Sequence, residues 1–290
     1  MEDRALVLGG GGPVGIAWEL GLAAGLEEGG VRIAQASRII GTSAGSFAGA
    51  ALASGRPAEA LVRAQVAQAQ RASEARASDA KQSQVPDLGP LMRFMARRPA
   101  DRETPAELCV EIGAFALAAK TMSEDAFIAS FGSVTSAGER WPHGFACTAV
   151  DAVDGSFHLW EEASGVELGR AIGSSCSVPG IFPPITIRGR RYIDGGMRSA
   201  TNIDLAKGYE RVLVVAVLSN LALDAMRASI QREIDVLKVG GAKVELIVPD
   251  ANCLAAFGNN LMDASRRGDV ALAGVAQGKA EAERIAAFWN

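Results

Sequence analysis

Three glycine-rich stretches hold the residue types that could do chemistry. Gly9-Gly10-Gly11-Gly12-Pro13-Val14-Gly15 follows one apolar run, Gly41-Thr42-Ser43-Ala44-Gly45 follows another, and Asp194-Gly195-Gly196 closes the run Arg191-Tyr192-Ile193. A glycine loop between a strand and a helix aims successive backbone N–H groups at one point on the positive end of the helix dipole. Such a point suits an anion, either a phosphate or the oxyanion formed when a carbonyl is attacked. The second stretch has the G-x-S-x-G spacing that lifts a serine hydroxyl clear of a sharp strand-to-helix turn, because its glycines remove the neighbouring Cβ atoms. Taken alone, Ser43 also fits a helix N-cap, whose hydroxyl accepts from a first-turn N–H.

A nucleophilic serine needs a proton acceptor. The chain has two histidines, His143 in the loop-like RWPHG and His158 inside the strand-like SFHLW, and both read as structural. The other acceptor is Asp194, which ends a short strand at a glycine turn expected to expose it at a sheet edge; its plain alternative is an Asp-Gly turn. The phosphate reading rests on Gly10-x-Gly12-x-x-Gly15, a dinucleotide-binding spacing. That fingerprint calls for an acidic residue at the end of the next strand, where Thr42 and Ser43 stand instead. No Lys-Ser/Thr pair follows Gly15, so the Walker pattern fails as well.

The elements that must position these residues are visible as patterns. RALVL (4–8) and SRIIG (37–41) read as buried strands, each delivering a tight turn into a helix, over 16–28 and from Ser46 to a stop at Gly55. Residues 144–160 read as a hairpin turning at Asp154-Gly155. RVLVVAVLS and AKVELIVPD are two more strands flanking a helix near 222–239, and an amphipathic helix ends the sequence. Valine and isoleucine runs without alternation suit a parallel sheet covered on both faces. Between them, 56–84 is rich in Ala, Gln, Arg and Ser and reads as a peripheral, mobile helical region. Residues 90–98 gather Leu91, Phe94 and Met95 on one face with Arg93, Arg97 and Arg98 around it. That segment fits either a solvated surface helix or contact with an anionic lipid surface.

Composition narrows the partners. At 290 residues, 49% hydrophobic and 21% charged, the chain suits one large α/β domain or two small ones, and a net charge of −4 gives no field for polyanions, which sets nucleic acid aside. Cys109, Cys147, Cys176 and Cys253 lie far apart without paired CxxC spacing, so buried free thiols are expected, with no metal site and no cofactor. No acidic loop has calcium-ligand spacing. The acidic start MEDRALVLGGGG lacks a signal-peptide pattern and no apolar run reaches membrane-spanning length, which leads to the expectation of a cytoplasmic protein.

Together, Gly10-Gly11-Gly12, Gly41-Thr42-Ser43-Ala44-Gly45 and Asp194-Gly195-Gly196, in that order, resemble the patatin-like phospholipase family. SSCSVPGIFPPI (174–185) looks like the family's approach to its Asp motif, and Asn202 follows at a familiar distance. The resemblance spans about residues 5–205. It implies a three-layer α/β/α sandwich over 1–290 with a mainly parallel central sheet and a helical cover at about 56–125. It also implies a Ser-Asp dyad without histidine, in which Ser43 attacks an acyl ester and Asp194 takes its proton. Gly10, Gly11 and Gly12 would form the oxyanion hole, and Gly41, Gly45, Gly195 and Gly196 would support the turns. The implied partner is a lipid or acyl-ester substrate. Val14 stands where many members carry a basic residue, and Arg93, Arg97 and Arg98 are the candidates to replace that cation. The competing expectation is a regulatory protein that binds a nucleotide or anion on the Gly10–Gly15 loop without chemistry.

Overall fold

Apolar runs without alternation become the strands at the middle of one sheet, where both faces are buried. The computed structural model describes residues 3–78, 86–99, 101–132, 140–218 and 223–290. In chain order its elements are β1 (Arg4–Leu8), α1 (Gly12–Glu28), β2 (Arg38–Gly41), α2 (Ala44–Ala53), α3 (Ala58–Ser78), α4 (Gly89–Met95), α5 (Ala106–Ala118), α6 (Glu124–Ser130), β3 (Phe145–Asp151), β4 (Phe157–Glu161), α7 (Leu168–Ser175), β5 (Ile185–Ile187), β6 (Arg190–Asp194), β7 (Arg211–Val215), α8 (Leu223–Val239), β8 (Lys243–Ile247), α9 (Ala251–Phe257) and α10 (Arg267–Trp289). The sheet order is β5-β6-β3-β2-β1-β7-β8, with β4 also paired to β3.

The pairs β3–β2, β2–β1, β1–β7 and β7–β8 are parallel, as the unalternating runs predict. The pairs β3–β4, β3–β6 and β5–β6 are antiparallel. Because side chains alternate along a strand, Leu6, Leu8, Ile39, Leu213 and Val215 face one layer, packed on α1, α2 and α10. Ala5, Val7, Ile40, Val212 and Val214 face the other, with Ile230, Ile234 and Leu237 of α8. A third cluster joins α4 and α5 to Val150, Ala152 and Ile193 on the flank of β3 and β6. The result is the three-layer α/β/α sandwich.

Small residues set one crossing that matters for the site. A Cβ at Gly21 would lie 2.2 Å from the Ala271 carbonyl oxygen, and one at Gly25 2.2 Å from that of Val275. Residue 21 therefore meets 271 and residue 25 meets 275, so α1 and α10 run in the same direction and their N-termini lie at the same end.

Within the segment 90–98, Leu91 is buried, and Phe94 and Met95 pack onto the α5 cluster. Helix α3 is less peripheral than its composition suggests, with Leu61, Val62, Gln65 and Ala69 buried; residues 79–85 of that region lie outside the described residues. Among the described residues no helix is long and apolar enough to cross a membrane, and all four cysteines are buried and free.

Candidate active site

Two strand-to-helix turns and one 3-10 turn meet at the carboxyl ends of β1 and β2. Leu8 pairs with Gly41 across these adjacent parallel strands, so the glycine loop after β1 and the serine turn after β2 leave the sheet side by side. Strand β3 runs further than β2, which it pairs only as far as Cys147 opposite Gly41. Its extension receives β6 in antiparallel register, with Asp194 opposite Ala149. Two residues of strand, about 7 Å, carry Asp194 past the level of Gly41 and beside the serine turn. Gly195 lets the chain turn there: a Cβ on it would overlap the Thr148 hydroxyl, at 2.1 Å.

Ser43 sits at φ +54°, ψ −114°, in the left-handed half of backbone space that an L-residue occupies only under constraint. Several contacts impose it. The Thr42 N–H donates to the Leu8 carbonyl at 3.0 Å and the Gly45 N–H to that of Gly9 at 3.0 Å. A Cβ at Gly45 would lie 2.2 Å from the Leu8 oxygen, and one at Gly41 2.4 Å from the Gly45 oxygen, so both flanking glycines are demanded by close approach. The Ser43 N–H donates to Ser175 Oγ at 3.1 Å, and the Cys176 thiol donates to the Ser43 carbonyl at 3.1 Å. Ser43 occupies the N-cap position of α2, yet its side chain caps nothing. The hydroxyl lies instead close enough to the Asp194 carboxyl to favour its ionised form.

Asp194 is buried, 2% exposed, rather than displayed at a sheet edge. Its carboxyl accepts the Gly196 N–H at 2.7 Å. Burial pushes its pKa up to about 7, against the pull of the nearby Ser43 hydroxyl and the Gly196 N–H. Neither histidine reaches it. His158 packs against the rings of Trp160 and Tyr192, where burial lowers its pKa, and His143 is exposed in the turn before β3.

The glycine loop divides its N–H groups. That of Gly10 is committed to the Ala200 carbonyl at 2.9 Å, anchoring the loop to the segment after the Asp motif. Those of Gly11 and Gly12, and that of Ala44 at the start of α2, make no hydrogen bond among the described residues. Gly12 has φ +60°, and a Cβ there would lie 2.8 Å from the Leu261 oxygen. Two helix N-termini thus meet beside Ser43 with donors to spare. Asn202 braces the same region, donating to Thr42 Oγ1 at 3.0 Å and to the Ser199 carbonyl at 2.8 Å. Its loop is held by buried Glu233, which accepts from Ser199 Oγ at 2.5 Å, Thr201 Oγ1 at 3.1 Å and the Ile203 N–H at 2.7 Å.

Ser43 opens onto a cavity of about 100 Å³. Its lining includes Phe47, Phe127, Phe131 and Phe182, whose rings touch one another, and also Gly12, Gln68, Met262 and Arg267. Arg97 pairs with Glu111, and Arg98 donates to the carbonyls of Gly196 and Arg198, so neither is free to supply a cation here. Arg93 is not among the lining residues. The cation that lines the cavity is Arg267, on a helix whose sequence gave no sign of it. No group of three or more potential metal ligands occurs among the described residues.

No curated protein matches the chain significantly. Among solved structures, VipD from Legionella pneumophila aligns with 13% identity and a TM-score of 0.44, over 97% of this chain and 67% of VipD. The type III effector protein ExoU aligns with 18% identity and a TM-score of 0.36, over 96% of this chain and 53% of ExoU. The family model for patatin-like phospholipase matches residues 6–207, which include the glycine loop, the Ser43 turn and the Asp194 motif. The chain belongs to the patatin-like phospholipase family.

Proposed function

We propose that the chain is a serine acyl hydrolase that cleaves lipid esters through an acyl-enzyme on Ser43. The observation that carries this reading is the strained Ser43, uncommitted to its helix and set beside a buried Asp194. A carboxylate that titrates near 7 is half ionised at neutral pH and basic enough to accept a serine proton, which an ordinary aspartate is not. Ser43 Oγ attacks the ester carbonyl carbon and its proton passes to Asp194. The carbonyl oxygen, now an oxyanion, is met by the N–H groups of Gly11 and Gly12, with Ala44 beside them. Gly10 serves by fixing the loop, since its own N–H is spent. Collapse expels the alcohol, which takes the proton from Asp194. Water then attacks the acyl-enzyme, giving a proton to Asp194; release of the acid returns that proton to Ser43.

The aromatic part of the lining suits the acyl chain; α6 contributes Phe127 and Ser130 to the cavity and α3 contributes Gln68. The test is a panel of p-nitrophenyl esters of increasing chain length, with and without lipid vesicles, on wild type and Ser43→Ala. Turnover that vanishes in the folded alanine variant supports the reading; turnover that survives overturns it.

A further inference from the structure

Arg267, partly buried at the edge of the cavity, combines features that an arginine seldom shows together. Its Nη1 donates to Gln65 Oε1 at 2.9 Å and to Gln68 Oε1, both neutral acceptors on α3. Its Nε is buried and has no hydrogen-bond partner. Among the described residues no carboxylate pairs with it. Burial lowers its pKa to about 10, so the guanidinium still carries its charge at neutral pH. Leaving a partly buried charge without a counter-ion is costly. The same-direction packing of α1 and α10 places it at the end of α1 where the glycine loop starts, and it lines the cavity with Ser43.

Resting on the acyl-hydrolase reading, we propose that Arg267 is a specificity-determining residue that binds an anionic group, such as a phosphate, on the alcohol half of the ester. The division of the cavity supports that half. Phe47, Phe127, Phe131 and Phe182 touch one another as one aromatic group that offers nothing to a charge, whereas Arg267 belongs to a separate polar group with Gln65 and Gln68. A guanidinium offers paired donors to oxyanions, and Gln65 and Gln68 orient it without neutralising it.

The experiment compares kcat/KM for two esters of one fatty acid, 1-acylglycerol 3-phosphate and the uncharged 1-acylglycerol, on wild type, Arg267→Gln and Arg267→Lys. Wild type is expected to prefer the phosphate ester. In R267Q the ratio of the two values should fall on the order of tenfold to a hundredfold, mostly through KM, with partial recovery in R267K. A ratio unchanged in R267Q overturns the assignment, including the case in which both substrates lose equally. Equal kcat/KM for the two esters in wild type overturns it with no variant needed, as does an effect of R267Q confined to inhibition by the free fatty acid. Ser43→Ala run in parallel separates the outcomes: loss there with an unchanged R267Q ratio defeats this inference and leaves the hydrolase reading standing.

Discussion

Asp194→Asn should silence the protein and at the same time make it more stable above neutral pH. The folded-state pKa of about 7 compares with an ordinary value of 3.8, so the native state keeps this proton when the unfolded chain has lost it. Below about pH 4 both states are protonated and the site costs nothing. As pH rises from about 4 to about 7 the unfolded chain ionises first and stability falls; above about 7 the loss is constant. Three pKa units correspond to about 4 kcal/mol, of which about 2–3 kcal/mol accrues between pH 5 and pH 8. Asparagine keeps an oxygen for the Gly196 N–H but has no charge to bury. Urea denaturation of both proteins at pH 5 and pH 8 should therefore show the stability difference shifting in favour of D194N by that amount, with ester turnover absent. In wild type, kcat/KM should rise with pH and level off above about 7. A stability difference that stays constant across this range would refute the argument that burial of Asp194 sets its proton affinity.

Other perturbations separate strain, burial and bracing. Ser43→Gly and Ser43→Ala should both lack turnover, but glycine relieves the φ of +54° and should melt higher, by about 1 kcal/mol in a denaturant titration. Glu19 lies in the core of α1 with both carboxyl oxygens unpartnered, and burial raises its pKa well above the usual carboxylate range. Glu19→Met should raise stability at pH 8 by about 1–4 kcal/mol, and by less at pH 5, where the carboxyl is already protonated. Glu233→Ala strands the Ser199 and Thr201 hydroxyls and the Ile203 N–H; a cost of about 2–4 kcal/mol is expected. The kcat for p-nitrophenyl esters should fall more than KM rises, because the loop that anchors Gly10 and Asn202 is loosened.

Much of this site could be read from the chain because its pieces are local. RALVL and RIIG are apolar runs that glycines terminate, and two such strands in sequence with helices between them pair in parallel. The Asp154-Gly155 turn was equally plain. What the sequence withheld depends on distant partners. Asp194 is buried because β3 outruns β2 and β6 inserts antiparallel on the overhang. Strand β5, three residues long, and α9, seven, are too short to show a period. The Gly10 N–H is taken by a loop some 190 residues away, which Glu233 holds from a helix further on. Arg267 heads an ordinary amphipathic pattern, and only the glycine-lined crossing of α1 and α10 brings it to the serine.

The central claim is that Ser43 is a nucleophile activated by Asp194, and intact-mass analysis after treatment with a fluorophosphonate reads it directly. Wild type should gain one adduct, mapped to Ser43 by peptide sequencing; S43A should gain none, and D194N should react far more slowly while remaining folded. A folded wild-type protein that stays unmodified, or an adduct that persists in S43A, would contradict the account.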